Sequence, residues 1–188
     1  MISRNQHDPT EWPARQMALS IVVADTSVLV NFLKIDRMDL IGACPRRFLA
    51  TDHVGGEITD AYPDQRARYE AAIAASQLDV CTITDPVEAE LFAKLGLGNR
   101  LGAGECSAIA VATNRQFALA IDDNRAVNRA LSEAGLAGHQ LEILRTQDVM
   151  VALIRAGIID VANADQIKET WAKHHRFRIK ATTFSDLL

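Results

Sequence analysis

Cysteine is scarce in this 188-residue chain: Cys44, Cys81 and Cys106 are the three, with no C-x-x-C among them. An odd count at that spacing argues against a disulfide scaffold and a zinc knuckle, and leaves small buried apolar side chains as the reading. Aromatics make up only 5%, and five prolines and ten glycines are too few for a collagenous or Pro/Gly-rich disordered chain. Long hydrophobic runs are missing. The longest, such as 21–24 and 108–112, fall far short of the roughly 20 residues that span a bilayer. The first nineteen residues carry Arg4, Asp8, Pro9, Glu11, Pro13 and Arg15, with no apolar stretch suited to a secretory signal. The expectation is a cytoplasmic protein with no membrane partner. Positive charge is not in excess either: 20 Lys and Arg against 24 Asp and Glu give a net charge of −4. No global field therefore holds nucleic acid, although a local basic patch can still contact phosphates.

What is present is 48% hydrophobic residue in a chain long enough to bury one substantial core. Residues 1–17 read as a polar lead-in, 18–160 as the domain proper and 161–188 as a helical, basic extension packed on the same domain. The run through Ile21, Val22, Val23 and Ala24 is continuous rather than alternating, as in a strand covered on both faces. Ser27 then caps a helix bearing Val28, Leu29, Phe32 and Leu33. The rhythm repeats, with strands expected over 48–51, 78–84, 117–121 and 139–144. Asp52 and Pro86 open helices, and further helices cover 105–114, 124–134, 147–156 and 162–174. Strands alternating with helices in this way predict an α/β fold, a mainly parallel sheet of about five strands with helices on both faces.

Ligands in such sheets bind beyond the carboxyl ends of the strands. Asp25 follows the first strand, and Asp122 and Asp123 follow the strand over 117–121. Two more acids stand on apolar helix stripes: Glu57 with Val54, Ile58 and Ala61, and Glu105 with Ala108, Ile109 and Ala112. Each has an ordinary explanation when taken singly, as a turn, a cap, a boundary residue or a complement to a helix dipole worth about 0.3–1 kcal/mol. Together they converge. Two carboxylates 4 Å apart repel by roughly 4 kcal/mol at an effective dielectric near 20, so such a cluster must take up protons, separate or hold cations. All-oxygen donors point to Mg2+ or Mn2+, and no His/Cys spacing offers zinc. Thr26 and Ser27 are placed to bond a carboxylate or a water, with helix capping the equal alternative for Ser27. P-loop, G-x-G-x-x-G and G-x-S-x-G patterns are absent.

The ordered set Asp25-Thr-Ser-Val-Leu-Val, Val54-Gly-Gly-Glu57-Ile, Gly104-Glu105-Cys-Ser-Ala-Ile-Ala and Leu119-Ala-Ile-Asp122-Asp123 resembles the PIN-domain nucleases, and within them the VapC-like toxins of toxin–antitoxin pairs. The resemblance covers about residues 20–160. It implies a PIN-like sandwich whose acids bind magnesium or manganese, with Asp25 and Asp122 anchoring metal and Glu57 and Glu105 completing the ring. Asp123 is either a further ligand or a cap. The implied activity is metal-dependent cleavage of RNA, with an antitoxin that blocks the pocket as partner and a homodimer left open. A DNA-directed or structure-specific nuclease and a non-catalytic binding module are the alternatives. Ala120 replaces a Thr or Ser often found two residues before the fourth acid, and Gly55-Gly56 costs about 1 kcal/mol per residue inside a helix.

The end of the chain supplies local positive charge. Lys173, Arg176, Arg178 and Lys180 interleave with Phe177 and Ile179, as in an extended segment with one basic face that contacts nucleic acid. A solvated tail pinned by Phe177 and Ile179 is the equal alternative. His174 and His175 read as a surface helix end rather than as a proton shuttle.

Overall fold

The computed structural model describes residues 21–58, 62–98 and 100–188. The expected lead-in over 1–17 lies outside the described residues. Strand β1 (Ile21–Ala24) runs directly into α1 (Thr26–Lys34), followed by α2 (Met38–Ala43) and β2 (Arg47–Thr51). Then come α3 (Asp52–Glu57), α4 (Pro63–Ala74), β3 (Asp79–Cys81), α5 (Pro86–Gly96) and α6 (Ala103–Arg115). The chain continues through β4 (Ala118–Ala120), α7 (Asn124–Leu136), β5 (Ile143–Leu144), α8 (Thr146–Arg155) and α9 (Val161–His174), and closes on a 3-10 turn, Phe184–Leu187.

The five strands form one parallel sheet in the order β3-β2-β1-β4-β5. Side-chain alternation sorts the layers. Val22 and Ala24 of β1, with Ala118 and Ala120 of β4, face a core built from α1, α2, α3, α4, α8 and α9. Val23, Leu119 and Ile121 face the opposite core, built from α5, α6 and α7. Both sides of β1 are thus dry, which is why its sequence is apolar without interruption. The architecture is the expected α/β sandwich with helices on both faces.

The chain steps from β1 to β2 and β3 on one side, then crosses to β4 and β5 on the other. The switch point therefore falls between the carboxyl ends of β1 and β4, where open α/β sheets form their binding crevices. Asp25 and Asp122 follow those two ends, and the Asp25 N–H donates to the Ala120 carbonyl at 2.9 Å.

Several local expectations are corrected. The cap of α1 is Asp25, not Ser27, and the cap of α3 is Thr51, not Asp52. In both places the strand enters the helix without a loop, so the capping side chain sits at the strand end itself. The edge strands β3 and β5 are shorter than the 78–84 and 139–144 expected, since each has a partner on one side alone. Residues 176–180 form no strand, but their burial alternates as expected, with Phe177 and Ile179 packed on the core. No helix among the described residues is long and apolar enough to cross a membrane.

Candidate active site

Asp25 is the hinge of the site. It leaves β1 with extended backbone (φ −82°, ψ 159°) and caps α1, its Oδ2 accepting from the Ser27 N–H at 2.9 Å. Its side chain is 1% exposed and its other oxygen, Oδ1, is buried without a hydrogen-bond partner. Burial pushes its pKa above the usual aspartate value, bonds from Ser27 pull it back, and the charge of Glu57 pushes it up again. The Ser27 hydroxyl accepts from the Asp122 N–H at 3.0 Å, so it joins the ends of the two strands rather than capping the helix.

Glu57 reaches the same place from the end of α3; the helix stripe expected to run on through Ile58 and Ala61 stops here, since Ile58 leaves the helix (φ −81°, ψ 82°) and Ala61 lies outside the described residues. Its Oε2 accepts from Thr26 Oγ1 at 2.6 Å and its Oε1 from the Gly104 N–H at 2.7 Å, which fastens it to the first turns of α1 and α6. Below it, the Thr51 and Ser107 hydroxyls meet at 2.6 Å, and Ser107 Oγ also donates to the Gly104 carbonyl at 2.8 Å. These bonds tie β2 and α3 to α6. Glu105, in the first turn of α6, accepts from the Gly102 N–H at 2.8 Å. Its pKa is raised, first by burial and then, against the Gly102 bond, by the charges of Asp25, Asp123 and Glu57. Asp25, Glu57, Glu105 and Asp123 therefore share one electrostatic neighbourhood.

Asp122 is engaged on its other side. Its Oδ1 accepts from the Thr146 N–H at 3.0 Å, and its Oδ2 from Thr146 Oγ1 at 2.6 Å and Asn31 Nδ2 at 3.0 Å. Oδ2 is saturated, whereas Oδ1 keeps a lone pair. Burial raises the pKa of Asp122 and the Thr146 bonds oppose the rise. Arg145 donates to the Asp122 carbonyl and, at 2.7 Å, to Asn124. Asp123 caps α7, its Oδ1 accepting from the Ala126 and Arg125 N–H groups at 3.1 and 2.8 Å, and these bonds, the one from Ala126 foremost, lower its pKa. It is a cap and also a charge felt by Glu105.

The pattern of acids missed Asn31, Thr146, Thr51 and Ser107. Asn31 carried a usable signal, a polar residue on the buried stripe of α1 with Val28 and Phe32. The hydroxyl residues carried none, since Ser and Thr are ordinary in such runs.

Among the described residues, no three His, Cys, Asp or Glu side chains form a ready-made cation cage. The donor set nevertheless fits magnesium, which takes one or two carboxylates directly and keeps several waters. The orphaned Oδ1 of Asp25 is the oxygen such an ion would satisfy. A separate cavity of about 660 Å³, lined by Cys44, Phe48, Leu144 and Val151, contains none of these acids.

The basic residues lie apart. Lys173 pairs with Glu169 at 3.1 Å on the exposed face of α9. Arg176, Arg178 and Lys180 are exposed, and of the three Arg176 alone lines a cleft that reaches Glu57.

No curated protein matches the chain. Among solved structures, a PilT N-terminus domain protein from the hyperthermophilic archaeon Sulfolobus solfataricus is similar, at 14% identity and a TM-score of 0.43 over 70% of this chain and 92% of that one. A family model described as DUF3368: PIN domain matches residues 21–188, the whole sandwich together with α9 and the tail. The chain belongs to the PIN-domain family, whose fold is in general a nuclease fold.

Proposed function

We propose that the protein is an endoribonuclease dependent on magnesium or manganese, and the toxin of a toxin–antitoxin pair. The observation that carries the nuclease reading is the buried, unpartnered Oδ1 of Asp25 among three further carboxylates. Placing acids at helix starts recovers only about 0.3–1 kcal/mol each, whereas a close pair costs roughly 4 kcal/mol. The dipoles do not compensate the cluster, and a cation does. Asp25, Glu105, Asp123 and the free lone pair of Asp122 are the oxygens that would hold it, one or two directly and the others through its waters. When bound, the ion lowers the pKa of the attacking water and neutralises charge on the phosphodiester.

The chain's own groups do the positioning. Glu57, immobilised by Thr26 and Gly104, accepts a hydrogen bond from the attacking water and fixes its direction. Thr146 and Asn31 hold the Asp122 carboxylate, and the Ser27 hydroxyl sets the spacing of the two strand ends. The toxin role rests on the likeness of the four motifs to VapC-like proteins, and the antitoxin is the partner that role requires.

Purified protein incubated with a mixed single-stranded RNA and magnesium should cleave it, whereas excess chelator or Asp25→Asn should each lower the rate at least a hundredfold. Equal cleavage in all three reactions refutes the assignment. Expression of the wild-type chain should arrest growth and Asp25→Asn should not; growth unaffected by an active enzyme refutes the toxin role.

A further inference from the structure

A cleft of about 580 Å³ opens beside Glu57, between the end of α1, the start of α4 and the end of α9. Lys34, Tyr62, Gln65, His174, His175 and Arg176 line it together with Glu57. We propose that this cleft is the substrate-strand subsite: it binds one single-stranded stretch of the RNA next to the bond being cut, with phosphates on Lys34, His175 and Arg176 and a base stacked on Tyr62. The inference rests on the nuclease reading for the identity of the strand.

Four observations carry it. The cleft shares Glu57 with the acid cluster, so a strand in it lies next to those acids. Charge is the second. In a chain of net charge −4, Glu57 is the one acid lining the cleft, against Lys34, Arg176 and two histidines. Among the described residues none of those four basic side chains has a carboxylate partner, unlike Lys173 with Glu169. Burial lowers the His175 pKa first, and its basic neighbours Lys34, His174 and Arg68 lower it further. A bound phosphate would offset those effects and favour the charged form of His175.

The third observation is rigidity. Arg176 sits in the left-handed region (φ +56°), and the turn is held because Phe177 lies edge-on against Trp171, ring centroids 5.5 Å apart. Trp171 is itself fixed by donating to the Asn31 carbonyl at 2.7 Å. The fourth is Tyr62, whose 63% exposed ring at the rim offers a face to any base. Beyond Arg176, Arg178 and Lys180 follow on the exposed side of the same segment and extend the basic track.

The test separates binding from chemistry. Fluorescence anisotropy with a short single-stranded 2′-O-methyl RNA in chelator reads the cleft whether or not the protein cuts. The double variant Lys34→Ala, Arg176→Ala should bind at least tenfold more weakly. Its slope of log affinity against log salt should flatten by about 1.4, at roughly 0.7 per phosphate contact. Tyr62→Ala should lose about tenfold with its salt slope intact, and Lys173→Ala should bind as wild type. Blunt duplex RNA should compete at least tenfold less well than the single strand. A folded double variant with wild-type affinity and slope overturns the proposal, as does equal competition by the duplex. If wild-type protein fails to cleave while the double variant still loses binding, the subsite stands and the nuclease reading falls. If wild-type protein cleaves and the double variant has an unchanged KM, the reverse holds.

Discussion

At the scale of the residue, the cost of the site is concentrated in three carboxyls. Asp25, Asp122 and Glu105 all have pKa values raised by burial, so the fold favours their neutral forms. The sign follows from linkage. Their contribution to stability is fully present below the ordinary carboxylate range, about pH 4, and is lost as pH rises through the raised values. Metal-free protein should therefore melt at a higher temperature near pH 4.5 than at pH 7. Asp25→Asn should raise the melting temperature at pH 7 and flatten the profile, at about 2–4 °C per kcal/mol for a chain of this size. Magnesium should stabilise wild type at pH 7 and leave Asp25→Asn nearly unchanged. Melts from pH 4 to 8, with magnesium or chelator, check all three. These acids were legible in the sequence because charge on a strand end or an apolar stripe needs a reason. Asn31 gave the same signal more faintly, without a charge. His174 and His175 were not legible, because only the docking of α9 turns a helix end toward a residue as distant in the chain as Glu57.

At the scale of the element, the site is made by helices that start where strands stop. That arrangement makes Asp25 both cap and candidate ligand, and it explains why Ser27 and Asp52 looked like caps from composition alone. The start of α6 gives the sharpest test. A Cβ on Gly104 would overlap the Glu57 carboxylate, with Cδ at 2.7 Å, whereas one on Gly56 would meet nothing within 4 Å. Alanine is favoured in helices by about 1 kcal/mol over glycine. Gly56→Ala should accordingly stabilise the protein by about 0.5–1 kcal/mol with activity retained. Gly104→Ala should displace Glu57, break its bond to the α6 backbone and lower RNA cleavage at least tenfold, with a melting temperature within a few degrees of wild type. Gly55 is a different case: its Cβ would stand 3.0 Å from Tyr69 Oη, so the helix penalty of this glycine is accepted for close packing of α3 on α4.

At the scale of the molecule, α9 and the tail belong to the core. Trp171 and Phe184 are fully buried, and the Trp171 indole meets Phe32 edge-on, ring centroids 5.6 Å apart. Trp171→Ala should cost about 3–5 kcal/mol, whereas Trp171→Phe, which keeps much of the ring, should show chiefly the lost bond to Asn31, about 1 kcal/mol. Denaturant titrations measure both. The α/β class was readable from the alternation of apolar runs and helix patterns. The strand order was not, because β1 pairs with β4 across about half of the chain and nothing local records it. That pairing has a consequence for synthesis. The acids are spread from residue 25 to residue 123, and the bond that seats Asn31 comes from residue 171. A nascent chain therefore holds no assembled acid cluster until Asp122, Asp123 and Thr146 have been made. The Asn31 that seats Asp122 gains its own buried support only when α9 has been made.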